Sequence, residues 1–243
     1  MWRVDLNCDL GEGAGHDAEL MPLITSANIA CGAHAGDEAT MRATVALAQK
    51  HGVAVGAHPG FIDRANFGRR ELALGPDEVH ELVLDQIRKL QALAPVRHVK
   101  PHGALYNMAA RDPGLARALV DAVYEADPRL ILFGLAGSHV IAAAEACGLP
   151  VASEVFADRT YQRDGSLTPR TQAHALITNA PTAVAQVLRM VRENTVRATD
   201  GTDVLIRADT VCLHGDGAQP VEFARLLRRE LTAAGVEIKA CGT

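Results

Sequence analysis

The chain has 243 residues, 48% of them hydrophobic and 22% charged, the proportions of a globular protein that buries a full core. A formal net charge of −5 argues against nucleic acid or an anionic membrane surface as partner, since both require a basic face, and no apolar run reaches the roughly 18 residues of a membrane span. The five cysteines are odd in number, far apart and without a C-x-x-C pair, which excludes a disulfide framework or a zinc ribbon and predicts reduced thiols in a cytoplasmic protein.

Strand-like and helix-like segments then alternate to the C-terminus. Arg3–Leu10 enters a strand at once and leaves no room for a signal peptide. Its Asp5, Asn7 and Asp9 share one face and Val4, Leu6, Cys8 and Leu10 the other. The strand ends in Asp9-Leu10-Gly11-Glu12-Gly13. Ser26–His34 follows, with Asn28, Ala30, Gly32 and His34 opposite Ile29, Cys31 and Ala33. Asp37 predicts an N-cap for a helix to His51 that Gly52 closes. In the third strand, Val53–His58, Ala54, Gly56 and His58 share a face. The stretch Pro59–Gly75 has no periodicity and is long for a connection, as a lid or binding loop is. Pro76 opens a helix with Val79, Leu82, Val83, Ile87 and Leu90 on one face.

Val96–His102 is the fourth strand, with His98, Lys100 and His102 opposite Val99 and Pro101. Asp112-Pro113 starts another helix, Leu130–Leu135 is the fifth strand, and Gly148 stops the helix before the sixth, Val151–Ala157. The loop Asp158–Arg170 is a second candidate binding loop. Asn179-Ala180-Pro181 starts a further helix, and Thr210–His214 is the seventh strand. Alternation of this kind predicts a parallel sheet. Strands that are polar on one face and apolar on the other favour closure, with the polar faces lining a lumen. The expected architecture is α/β: a single (β/α) barrel over residues 1–243, seven-stranded and irregular.

Reacting groups in such barrels come from the C-terminal ends of strands and the loops after them. The unusual residues recur there: Asp9 and Glu12, His34, His58, Lys100 and His102, Glu154, then His214 and Asp216. Glycines on both sides of Glu12 let its carboxylate approach a ligand closely. Arg69 and Arg70 in one loop, with Arg159 and Arg170 in the other, could clamp a carboxylate. Asn7, Asn28, Glu154 and Asp216 complete the expected substrate-binding set. Other residues have plainer readings. Asp37 serves as a cap, His98 as an interior histidine, and Asp5 as a buried acid paired to Lys100 or an arginine.

Six segments carry a resemblance to a known family. They are Asp5-Leu6-Asn7-Cys8-Asp9-Leu10-Gly11-Glu12-Gly13, Ser26-Ala27-Asn28-Ile29-Ala30-Cys31-Gly32-Ala33-His34-Ala35-Gly36-Asp37, Val55-Gly56-Ala57-His58-Pro59-Gly60, Val99-Lys100-Pro101-His102-Gly103-Ala104-Leu105-Tyr106-Asn107, Glu154-Val155-Phe156-Ala157-Asp158-Arg159-Thr160-Tyr161 and Leu213-His214-Gly215-Asp216. In this order the chain resembles the LamB/YcsF family from about Val4 to its C-terminus. The resemblance implies a barrel of the glycoside hydrolase/deacetylase type. It also implies hydrolysis of 5-oxo-L-proline to L-glutamate coupled to ATP hydrolysis, in a complex with 5-oxoprolinase subunits B and C.

The residues suit that reaction. Opening a lactam needs an activated carbonyl, a nucleophilic water and a proton for the leaving nitrogen. Asp9, Glu12, His34, His58, His102 and His214 could supply base and acid, and Lys100 could stabilise an oxyanion, a phosphorylated carbonyl or the substrate carboxylate. No G-x-x-x-x-G-K-[ST] or G-x-G-x-x-G motif is present, so ATP is expected on a partner subunit or a shared interface. Two other readings compete. One is a metal-dependent deacetylase or amidohydrolase acting on another cyclic amide or a sugar, its divalent ion drawn from Asp9, His34, His58 and His102. The other is a non-catalytic lactam-binding subunit.

Overall fold

A computed structural model describes residues 1–214 and 219–243. Strands β1 (Trp2–Leu10), β2 (Ser26–Ala30), β3 (Ala54–His58), β4 (His98–Val99), β5 (Ile131–Leu135) and β6 (Val151–Phe156) lie side by side in chain order. A small antiparallel hairpin, β7 (Thr195–Arg197) and β8 (Asp203–Leu205), stands apart from them. Strand β9 (Thr210–Leu213) inserts between β6 and β1, parallel to both, and closes a seven-stranded parallel barrel. The barrel expected from the alternation of elements is the one observed. Strand β10 (Val236–Ile238) adds to the start of β1, pairing Val236 with Trp2.

Helices α1 (Asp17–Leu20), α2 (Glu38–His51), α3 (Pro76–Gln91), α4 (Gly103–Arg111), α5 (Pro113–Ala126), α6 (His139–Cys147), α7 (Ala180–Glu193) and α8 (Pro220–Ala233) connect the strands. Their boundaries follow the local chemistry. Asp37 accepts the amide of Thr40 at 2.8 Å to cap α2, and Gly52 ends it with φ 67°. Asp112 and Asn179 cap α5 and α7 in the same way. Among the described residues, no helix is long and apolar enough to cross a membrane.

The two strand faces separate as the period of two requires. Leu6, Cys8, Leu10, Ile29, Val55, Ala57, Val99, Leu132, Val155 and Val211 point outward into a buried layer shared with Val83, Ile87, Leu119 and Val123 of the helices. Removing the Val, Leu and Ile side chains among them from water contributes about 1.5–3 kcal/mol each. The inner faces are polar yet equally sealed: Asp5, Asn7, Asn28, His98, Glu154 and Thr210 are all buried. Hydrogen bonds across neighbouring strands offset that burial.

Asp5 departs from expectation. Among the described residues no cation pairs with it; its carboxylate takes hydroxyl hydrogens from Thr25 at 2.6 Å, Ser26 at 2.7 Å and Thr210. His98 is interior, as expected. It stacks on Phe133 at 4.3 Å and its Nε2 meets Asn28 Oδ1 at 2.8 Å. Gly56 makes room for it, since a Cβ there would stand 2.0 Å from His98 Nε2.

Two strands are shorter than the sequence pattern suggests. Strand β2 stops at Ala30 because Gly32 and Gly36 turn the chain with φ 88° and 69°. Only a glycine fits at 36, where a Cβ would lie 2.9 Å from the Gly11 carbonyl. Strand β4 has only His98–Val99, because Pro101 has no amide hydrogen to extend the ladder. The chain beyond it stays tethered through Lys100 N to Ala57 O at 2.9 Å and His102 N to Pro59 O at 2.8 Å.

Candidate active site

The strand ends bring one side chain after another to the same mouth of the barrel. Lys100, just past β4, sits at the centre with its side chain 3% exposed. Its Nζ lies 2.9 Å from Asp9 Oδ1 and 2.9 Å from Glu154 Oε1. Asn7 Oδ1 at 3.1 Å and Cys212 Sγ at 3.0 Å complete its surroundings. Burial would strip the proton from this amine, but Asp9, Cys212 and Glu154 outweigh it and hold the pKa well above the usual lysine value. The ammonium therefore stays charged, which suits it to act through its field and not as a nucleophile.

Asp9 is the hinge between this ammonium and the histidines. Asn28 donates to its Oδ1 at 2.8 Å, and its Oδ2 stands 3.3 Å from His58 Nε2. Burial opposes the charge, yet His58 and Lys100 keep the carboxyl well below the ordinary carboxylate range. Glu12, in the loop after β1, reaches His34 Nε2 at 2.9 Å, His102 Nδ1 at 3.3 Å and His58 Nε2 at 3.6 Å. Against the cost of burial, hydrogen bonds with His102 and His34 lower it to about 2. His34 is pushed down to about 4, chiefly by burial, and so stays neutral. It stacks face to face on His102, ring centres 3.7 Å apart.

The stretch expected as a lid or binding loop, Pro59–Gly75, is anchored at its start. Gln86 of α3 holds Gly60 through both its amide and its carbonyl, at 3.0 and 2.9 Å. A 3-10 turn spans Arg64–Asn66, and Phe67 follows with φ 54°. That turn places the Phe67 carbonyl 2.8 Å from His102 Nε2 and the ring edge-on to both His34 and His102. Arg69 lies over the Phe67 ring at 4.9 Å, and Arg70 pairs with Asp63 at 3.4 Å on the outside.

His214, at the end of β9, forms a second unit. Its Nδ1 is 2.9 Å from each oxygen of Asp158 and its Nε2 is 3.3 Å from the Arg170 guanidinium. An arginine can only donate, so Nδ1 carries the hydrogen towards Asp158 and Nε2 presents a lone pair. His214 stacks on Phe156, whose ring also lies 5.7 Å from Lys100 Nζ. The arrangement is a base oriented by an acid, with the base 13% exposed.

Of the residues expected from sequence, Asp9, Glu12, His34, His58, Lys100 and His102 converge in one network, and His214 stands beside it. Asn7, Asn28 and Glu154 lie beneath, sealed from solvent, tying Asp9 and Lys100 in place. Arg159 turns into its own loop, donating to Thr168 O at 2.6 Å and Ala175 O at 3.4 Å. Asp216 lies outside the described residues. Sequence reasoning passed over Asp158, Cys212 and Thr210. Asp158 directly follows the sixth predicted strand, the position where chemistry concentrates, and that was the available signal.

The donor atoms of Glu12, His34, His58 and His102 lie within 4.8 Å of one another, a group able to hold a metal ion. Asp9, expected among such ligands, stays at its edge, paired with Lys100. A separate cavity of about 650 Å³ opens at the opposite end of the barrel beside Thr25, Val53, Arg97 and Lys239, and none of the expected site residues lines it.

Comparison with known proteins bears on this geometry. The LamB/YcsF family profile matches residues 4–243. A protein from Bacillus licheniformis, named as the A subunit of 5-oxoprolinase, is 54% identical, with 100% of each chain covered. One of the same name from Shouchella clausii is 58% identical, with 99% of each covered. The crystal structure of a lactam utilization protein from Thermus thermophilus superposes with a TM-score of 0.92 at 48% identity, covering 98% of this chain and 99% of that one. A family 4 carbohydrate esterase from Streptomyces lividans shares the fold alone, with a TM-score of 0.52 at 10% identity, covering 98% of this chain and 91% of that one.

Proposed function

Because the chain belongs to the LamB/YcsF family, we propose that it is the component of an ATP-dependent 5-oxoprolinase that carries the lactam-opening site. Its substrate is 5-oxo-L-proline, and its product is L-glutamate. The observation that carries this reading is the full-length match, at more than half identity, to relatives named as the A subunit of 5-oxoprolinase. The site chemistry supports it. Ring opening adds water to the lactam carbonyl, breaks the C–N bond and delivers a proton to the nitrogen.

The fixed charge of Lys100 stabilises negative charge developing on the carbonyl oxygen, in a setting where little water screens it. Asp9 keeps that ammonium and His58 in register. His214, oriented by Asp158, takes a proton from water and returns one to the leaving nitrogen. Arg170, beside His214 and exposed, is placed to meet the substrate carboxylate.

ATP acts as co-substrate on subunits B and C or at a shared interface, since the sequence carries neither a G-x-x-x-x-G-K-[ST] nor a G-x-G-x-x-G motif. The complex works in the cytoplasm, where the five free cysteines stay reduced. The test is glutamate release from 5-oxoproline and ATP, first with this chain alone and then with subunits B and C. Turnover is expected only from the full set. Turnover by the single chain, or none from the complete assembly, would contradict the reading.

A further inference from the structure

The ring nitrogens of His58 and His102 face each other across 3.0 Å. Each ring has already committed its hydrogen elsewhere. His58 Nδ1 donates to the Lys100 carbonyl at 2.7 Å, and His102 Nε2 donates to the Phe67 carbonyl at 2.8 Å. A carbonyl can only accept, so in their neutral forms His58 Nε2 and His102 Nδ1 both present lone pairs to the same point. Glu12 Oε1 faces that point as well, 3.3 Å from His102 Nδ1 and 3.6 Å from His58 Nε2. With both rings neutral, three electron pairs converge there with no donor among them, and a cation, either a metal ion or a proton, is what resolves such an arrangement.

The spacing indicates which cation. Ligand atoms about 2.0–2.1 Å from a tetrahedral zinc ion stand roughly 3.3 Å apart. The observed edges of 3.0, 3.3 and 3.6 Å bracket that value. We propose that Glu12, His58 and His102 bind one divalent transition-metal ion of the zinc class and leave a coordination position open towards the barrel mouth. Imidazole and carboxylate suit such ions, and each histidine has its other ring nitrogen tied to a backbone carbonyl, which fixes the ring for a metal. His34 is a positioning residue. It donates Nε2–H to Glu12 at 2.9 Å, which accounts for its Nδ1 being buried without a partner.

An ion held there would polarise an amide carbonyl or acidify a bound water. Metal uptake by the chain does not depend on which amide it opens, so binding and substrate identity fail separately. A single proton held between the two rings is the competing occupant.

The experiment uses the untagged full chain, stripped by a chelator and titrated with Co²⁺ or Zn²⁺ alone. One equivalent of Co²⁺ is expected, with the visible absorption of a four- or five-coordinate site free of sulfur, displaced by Zn²⁺. His58→Ala and His102→Ala should abolish uptake, and His34→Gln should weaken it roughly 10- to 100-fold. Should the alanine variants not fold, X-ray absorption on the cobalt-loaded wild-type chain decides, with two imidazoles and oxygen ligands expected. No uptake, a thiolate-to-cobalt charge-transfer band, or full stoichiometry in folded His58→Ala and His102→Ala chains would overturn the proposal.

Discussion

Lys100 Nζ and Glu154 Oε1 lie 2.9 Å apart with 3% and 0% of their side chains exposed, so each offsets part of the other's cost of burial. Breaking a buried pair from one side leaves an uncompensated charge, which costs about 3–5 kcal/mol. Lys100→Met is expected to lower folding stability by that order, read from urea unfolding midpoints. Adding Glu154→Gln should recover part of the loss. A single variant as stable as the wild type would show that the pair does not hold the barrel interior together.

His214 and Asp158 form one hydrogen-bonded pair, the acid–base unit of the proposed reaction. Losing a positioned acid–base group typically lowers turnover by about 10²–10⁴. His214→Gln should do so in the reconstituted complex, chiefly in kcat. Asp158→Asn should also lower kcat, because an amide can donate to Nδ1 and turn the ring to the wrong tautomer. Unchanged kcat in both variants would remove the dyad from the mechanism.

Asp158 also sets a pH dependence. Burial raises its carboxyl, but the interaction and hydrogen bond with His214 outweigh burial and leave it below 3.8. A carboxyl depressed in the folded state contributes stability that is present above its unfolded value and lost as pH falls through the folded one. Below about pH 3.9, the unfolded aspartate value, the wild-type chain should lose this contribution while Asp158→Asn does not. Urea midpoints of the two chains should therefore converge on acidification. A constant gap across the acid range would count against the pairing.

Gly56 and His98 share one space. Gly56→Ala places a Cβ 2.0 Å from His98 Nε2, so the ring must leave Asn28, and overpacking of this kind costs about 1–3 kcal/mol. In a His98→Ala background the same substitution should cost much less, because the obstruction is gone. Equal costs in both backgrounds, measured by thermal or urea unfolding, would rule out the steric link.

Much of this was legible in the sequence because the barrel repeats one signal. Asp5-x-Asn7-x-Asp9 and His98-x-Lys100-x-His102 declare a polar face by their spacing, and helix caps such as Asp37 and Asn179 declare themselves locally. The hairpin of β7 and β8 escaped because its strands are three residues long, although Asp200-Gly201 between them is a turn signal. Strand β10 is equally short.

Partnerships were less legible than positions. Nothing local says that Asp5 would choose three hydroxyls over a cation, or that Asp158 would meet a histidine 56 residues away. The arginines divided for the same reason. Arg159 and Arg170 share a loop and read alike, yet one satisfies backbone carbonyls and the other reaches His214. Which loop folds inward is a matter of tertiary packing, and periodicity does not encode it.

Under the proposed function this chain, and not a partner, supplies the ring-opening site, and that assignment can be tested directly. Its most direct test is glutamate release by the assembly with subunits B and C, comparing the wild-type chain with Asp9→Asn, a nearly isosteric change at the carboxylate that holds Lys100 and His58. A loss of about 10²-fold or more is predicted, with the partners still bound. Full turnover by the assembly containing Asp9→Asn would contradict the claim and move the chemistry to another subunit.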